Sequence, residues 1–189
     1  MPIEVERTAV VRDADEVRAR LSAWAVGESS TYQDVYYDSA DRMLERDGRR
    51  ELRLRVIERA DGTSRAVLTY KGSMIDSTAM PEFETEVSDP EMMDTILAGL
   101  GLGHTIAYEK HCDNFRFTVN GRDILATVVR VPELEPTYIE VETVLDSRAD
   151  GVPEALAAVD QVLRDLGIPP EDVTEEYYVD LVAAQRPSR

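Results

Sequence analysis

A single cysteine, Cys112, excludes an intramolecular disulfide and a cysteine-built zinc centre. With His104 and His111 as the only histidines, the composition also argues against a multi-histidine metal centre. No apolar run is long enough to cross a bilayer and no secretory leader is apparent, so a cytoplasmic, membrane-free setting is expected. Positive charge is scarce: 21 Lys and Arg stand against 38 Asp and Glu, for a net charge of −17. A nucleic-acid surface needs a basic stripe, and this composition argues against one. Any anion the chain binds must enter a local basic pocket within a repelling exterior. Phosphate-loop glycines are missing too, since Lys71-Gly72-Ser73 lacks both the required spacing and a following helix.

What is present is an alternation of charge. Glu4 and Glu6, then Glu82, Glu84 and Glu86, then Glu140 and Glu142 fall at every second position of three strand-like segments. Residues two apart on a strand share a face, so each segment presents carboxylates one way and apolar groups the other. Two further segments do this with cations: Arg53 and Arg55 oppose Leu52, Leu54 and Val56, and Lys71 shares a face with Val67 and Thr69. One such strand alone is most simply a solvated sheet face. Five together predict a shared cavity in which acids and bases converge, suited to a divalent metal and a polyanion.

At 189 residues, 43% of them hydrophobic, the chain has enough material for one domain with a sizeable core. That domain is expected over residues 1–184, with a frayed tail over 185–189. Strands are predicted over 3–11, 32–38, 50–59, 64–71, 82–88, 105–111, 114–119, 123–131 and 138–145. Asp61-Gly62 and Asn120-Gly121 mark hairpin turns. Asp13 is a suitable N-cap for a helix through about Ala25. A second helix opens at Asp89 or Pro90, with Met93, Ile96, Leu97 and Leu100 as its buried stripe. A third runs from about Pro153 to Leu166, and Thr174 is expected to cap a last one through Ala184. Trp24, Tyr36, Tyr37, Tyr138 and Phe83 read as core aromatics. The fold class is α+β, and closure of about eight antiparallel strands into a barrel with helices outside removes the exposed edges.

Taken in order, several segments give the chain a resemblance to a known family. They are Glu4-Val5-Glu6, Gln33-Asp34-Val35-Tyr36-Tyr37-Asp38, Leu52-Arg53-Leu54-Arg55, Leu68-Thr69-Tyr70-Lys71-Gly72, Glu82-Phe83-Glu84, Glu109-Lys110, Tyr138-Ile139-Glu140-Val141-Glu142 and Tyr177-Tyr178-Val179-Asp180-Leu181. The sequence resembles the CYTH superfamily of triphosphate tunnel enzymes, nearest to its class IV adenylate cyclase-like branch. The resemblance implies an eight-stranded tunnel, a phosphorylated small-molecule substrate, Mg²⁺ or Mn²⁺, and a possible homodimer. It assigns phosphate to Arg53, Arg55, Lys71 and Lys110. Metal falls to Glu4, Glu6, Glu140 and Glu142, with Glu82 and Glu84 close by. Catalysis is expected of Glu4, Glu6, Arg53, Arg55 and Lys71.

The chain departs from the family pattern at several cationic positions. Thr8 stands where a lysine is usual, Cys112 where Lys-x-Arg ends in arginine, and Met80-Pro81 where a basic residue often precedes Glu82. An expected aspartate is absent from Thr127-Val128-Val129-Arg130, while Arg65, Arg116 and Arg130 are candidate replacements for lost charge. Each lost charge-assisted bond costs about 1.5–3 kcal/mol of phosphate affinity. Three readings therefore stay open: a cyclase or phosphohydrolase acting on a triphosphate, a lyase or cyclase acting on a diphosphate ester such as a prenyl diphosphate, and a non-catalytic nucleotide or polyphosphate binder.

Overall fold

A computed structural model describes residues 2–146 and 151–187. Eight strands make the barrel: β1 (Ile3–Val11), β2 (Gly27–Ser39), β3 (Glu51–Arg59), β4 (Ser64–Lys71), β5 (Ala79–Val87), β6 (Leu102–Val119), β7 (Arg122–Arg130) and β8 (Thr137–Leu145). They pair antiparallel in the order β5-β4-β3-β2-β6-β7-β8-β1. Closure comes from β1 returning to β5, with Glu4 opposite Met80 and Val5 opposite Ala79. A two-residue strand, β9 (Val173–Thr174), takes the edge of β1 that β5 leaves free, placing Thr174 opposite Thr8.

Local chemistry sets the turns and caps. Asn120 and Gly121 both have positive φ, 51° and 76°, which the twist of a two-residue hairpin between β6 and β7 requires. Asp13 accepts from the Glu16 amide at 3.0 Å and opens α1 (Ala14–Ser22). Buried Asp38 accepts from the amides of Leu44 and Glu45, at 2.9 and 3.1 Å, and so holds the single turn of α2 (Met43–Arg46). The remaining helices are α3 (Pro90–Gly99), α4 (Val152–Asp165) and α5 (Tyr178–Gln185).

Alternation along the strands separates two environments. Outward apolar residues of β1, β7 and β8, among them Ala9, Val128, Ile139 and Val141, pack under α1 and α4 through Leu21, Val159 and Val162. Burying each such side chain contributes about 1.5–3 kcal/mol, so the hydrophobic core lies outside the barrel. The interior changes character along its axis. Toward one end Cys112, Val129 and Tyr138 form an apolar layer against Tyr178 and Val182, so α5 lies across that end. The rest of the interior is charged. No helix among the described residues is long and apolar enough to cross a membrane.

Several local expectations are corrected. The segments over 105–111 and 114–119 form one 18-residue strand, β6. Thr174 does not cap a helix; its backbone completes the β1 edge, and α5 begins at Tyr178. On α3 only Leu97 is buried, while Ile96 and Leu100 are 48% and 72% exposed, because one narrow face of the helix meets the sheet. Phe83 lies on the outside, stacked on Tyr70, and Trp24 meets Phe117 edge-on while staying partly exposed. Of the stretch read as a tail, Gln185 closes α5 and Arg186 forms paired bonds to Glu133 at 2.7 Å; residues 188–189 lie outside the described residues.

Candidate functional site

Nine of the ten charged residues singled out by alternation, Glu4, Glu6, Arg53, Arg55, Lys71, Glu82, Glu84, Glu140 and Glu142, line one cavity of about 250 Å³ inside the barrel, together with Lys110 from the family resemblance. The tenth, Glu86, does not line it: it is exposed and faces Arg65 at 3.5 Å. Register explains the convergence. Glu6 lies opposite Glu142 and Thr8 opposite Glu140 across β1 and β8, while Arg53 faces Thr69, and Lys71 faces Glu82, on neighbouring strands. Even-numbered residues of one strand and odd-numbered residues of another thus share a single interior.

The cations are held from behind. Arg55 donates from Nε and Nη2 to both carboxylate oxygens of Asp34, at 2.6 and 2.7 Å, and its guanidinium lies 4.5 Å from the Tyr32 ring centroid. Burial alone raises the Asp34 carboxyl, but Arg55 overrides it and holds the group near 2. Arg53 reaches Thr69 Oγ1 at 3.4 Å, and its Nε is buried without a partner. That orphaned donor is what a cavity ready for an anion leaves behind. Lys110 donates to Glu140 at 2.8 Å and sits 4.4 Å from the Tyr178 ring centroid.

The acids fall into two overlapping sets. Lysines hold three of them: Lys71 donates to Glu4 and lies 3.3 Å from Glu82, and Lys110 takes Glu140. Thr69 donates to Glu84 at 2.9 Å. Glu4 belongs also to the second set, in which Glu4, Glu6 and Glu142 bring one oxygen each within 4.8 Å of one another. Burial, then the charges of Glu6 and Glu82, pushes the Glu142 carboxyl up to about 8. Burial likewise raises Glu6, against the pull of Lys71. Three converging carboxylates suit a hard divalent cation, which takes oxygen ligands and keeps several waters. The donor set therefore fits Mg²⁺ or Mn²⁺ on Glu6, Glu142 and the Glu4 carboxylate that Lys71 also holds, while Glu140, outside this group, is bonded to Lys110.

The departures from the expected cation pattern are structural as well. Thr8 and Thr127 line the cavity, and Thr8 Oγ1 donates to Glu6 at 3.0 Å. Met80 lines it too, while Arg65 and Arg116 stand in its wall and Arg130 is exposed outside it. Cys112 is buried, with its thiol pushed up to about 12 by desolvation, and stays protonated. Sequence reasoning missed Asp34 as the partner of Arg55, and it missed the phenols of Tyr36, Tyr108 and Tyr178 in the wall. The first was visible only as an aspartate at the right parity on β2. The phenols carried no alternation signal, because tyrosine is equally common in packed cores.

The CYTH domain model matches residues 2–178. No curated protein matches the chain by sequence. Among solved structures, PH1819 of Pyrococcus horikoshii is 26% identical with a TM-score of 0.81, covering 97% of this chain and 99% of that one. A Vibrio parahaemolyticus protein named as a candidate adenylate cyclase is 17% identical with a TM-score of 0.77, over 96% and 98% of the two chains. A Hippeastrum protein, described as a candidate adenylyl cyclase with a dominant triphosphatase activity, is 16% identical with a TM-score of 0.67, over 100% and 98%. The last two share the fold. A family match spanning nearly the whole sequence, on a closed barrel with charged walls, places this chain in the CYTH domain family.

Proposed function

We propose that the cavity binds a phosphate chain together with Mg²⁺ or Mn²⁺ and that the protein hydrolyses a triphosphate. The carrying observation is the division of the interior: buried Arg53, with an unsatisfied Nε, and Arg55 on one side, and the convergent carboxylates of Glu4, Glu6 and Glu142 on the other. Inward acids outnumber inward cations, so a bare polyanion is repelled unless a cation enters with it. Bound to the three glutamates, a divalent ion would neutralise phosphate oxygens and make a bound water more acidic.

The chain's own residues do the positioning. Arg55, with Nε and Nη2 fixed on Asp34, turns its remaining edge to the ligand, and a guanidinium edge matches phosphate oxygens. Arg53 offers its free donor. Lys71 and Lys110 supply mobile point charges, each on loan to a carboxylate until an anion arrives. Phosphoryl transfer needs mainly this alignment and charge neutralisation. A cavity of about 250 Å³ is below the range usual for sites that enclose a drug-sized organic ligand, so it suits a phosphate chain whose organic part lies beyond the mouth. That favours hydrolysis over cyclisation, which must seat the ribose beside the reacting phosphorus. The neighbour described as having dominant triphosphatase activity supports the same preference.

One observation supports the diphosphate-ester alternative: Ile57, Val67, Leu125 and Val144 give the cavity wall an apolar stretch. Incubation with Mn²⁺ and, separately, tripolyphosphate, ATP or geranylgeranyl diphosphate, followed by mass analysis, separates the readings. Orthophosphate release from a triphosphate is expected. Cyclic AMP with pyrophosphate, a hydrocarbon or prenyl alcohol, or saturable binding without turnover would each replace hydrolysis by the corresponding alternative.

A further inference from the structure

Asn114 on β6 is buried and does not line the cavity, yet both ends of its amide are engaged. Its Oδ1 accepts from the Tyr32 hydroxyl at 3.0 Å and from the Thr127 hydroxyl at 3.1 Å, while Nδ2 donates to the Glu28 carbonyl at 3.3 Å. That carbonyl decides which way the amide points, because the flipped amide would set oxygen against oxygen. Glu28 and Tyr32 on β2 and Thr127 on β7 thus hold Asn114 from both neighbouring strands. A buried polar network whose bonds are all made rigidifies the groups it contains. Here the group that reaches the site is the Tyr32 ring, which lines the cavity and lies 4.5 Å from the Arg55 guanidinium.

Arg55 needs that ring. Asp34 grips Nε and Nη2 and so sets the direction of the guanidinium within its own plane. The carboxylate alone leaves the plane free to tilt about the line joining the two groups. An aromatic ring over one face restricts the tilt and keeps the remaining N–H edge aimed at one place in the cavity. The ring can itself swing on its side-chain bonds unless its hydroxyl is anchored, and Asn114 is the anchor. We propose that Asn114 is a positioning residue that sets the tilt of Arg55 through Tyr32, and with it the fit of the guanidinium edge to phosphate oxygens. Asn114 never touches the ligand; it acts through a phenol and an arginine on two further strands.

This inference rests on anion binding by the cavity, and calorimetric titration with tripolyphosphate separates the two. Absence of wild-type binding would overturn both; wild-type binding that the following variants leave unchanged would overturn this inference alone. Tyr32→Phe keeps the ring and removes its anchor, and Asn114→Ala removes the acceptor. Each is expected to lower affinity about fivefold. The decisive background is Arg55→Lys, whose ammonium keeps the charge but has no plane to orient. There Asn114→Ala is expected to change affinity by less than about twofold. An equal loss in the arginine and lysine backgrounds would overturn the proposal. So would a lower melting temperature with unchanged affinity, the mark of a packing role. A loss in Tyr32→Phe alone would mean that the phenol meets the anion directly, and would overturn the part given to Asn114. Should Asn114→Ala fail to fold, Tyr32→Phe compared in the same two backgrounds carries the test.

Discussion

Asp34 and Arg55, on adjacent strands, form a doubly bonded charged pair inside the barrel: two parallel bonds of 2.6 and 2.7 Å, with the Asp34 side chain fully buried. The pair orients a guanidinium that would otherwise swing across the cavity. Removing one partner leaves the other charge buried and unpaired. Asp34→Ala is therefore expected to lose about 3 kcal/mol of stability in urea unfolding. Asp34→Asn, which keeps the shape, is expected to lose less stability yet still weaken tripolyphosphate binding. A variant with full stability and full affinity would show that Arg55 needs no such support.

Acid sensitivity follows from the same pair. Asp34 and Glu82 are each held near 2, below their ordinary values of 3.8 and 4.5; burial opposes this, but Arg55 lowers the one and Lys71 the other. A depressed folded-state value means the stabilisation is complete above the ordinary values and disappears as pH falls toward 2. Circular dichroism is expected to show stability declining through that window, and declining less in Asp34→Asn. A flat profile down to pH about 2 would contradict the assignment.

Glu142 carries the opposite sign. Held up at about 8, it keeps a proton in the ion-free fold that the unfolded chain has already released, so this group destabilises the ion-free protein as pH rises from 4.5 toward 8. A divalent cation displaces that proton. The rise in melting temperature on adding Mn²⁺ is expected to grow across this range and to be largely lost in Glu142→Gln. A pH-independent Mn²⁺ effect, or one retained by the variant, would remove the three-carboxylate site.

Thr8 tests the departures from the family pattern. Its hydroxyl donates to Glu6, and Glu140 lies opposite it across the strand pair. Thr8→Lys would add an ammonium there. Tripolyphosphate affinity without metal is expected to rise about tenfold, while Mn²⁺ affinity falls as the new charge competes for Glu6. Titration of each ligand separately checks both directions, and parallel changes would argue against separate cation and anion halves.

How much of this was legible in the sequence depends on the range of the physics involved. A strand period of two is a local property, so residue spacing alone reveals the inward sets Glu4-Glu6, Arg53-Arg55 and Glu140-Glu142. Capping by Asp13 and the Asn120-Gly121 turn are equally local. Thr174 failed because its role is set by an edge of β1 nearly the whole chain away. Ile96 and Leu100 failed because helical period defines a stripe without saying whether anything covers it. Asp34 and Tyr178 needed the closed barrel: their importance lies in which cation each one faces, and that is decided by strands and helices brought together only by the fold.

The central claim is that a phosphate chain and its counter-ion meet inside the barrel. A crystal structure with tripolyphosphate and Mn²⁺, using anomalous scattering to place the metal, tests it most directly. The expected result is a manganese peak among Glu4, Glu6 and Glu142, with phosphate oxygens on Arg53 and Arg55. Metal and anion found only on the outer surface, with the interior charges still paired as they are now, would contradict it.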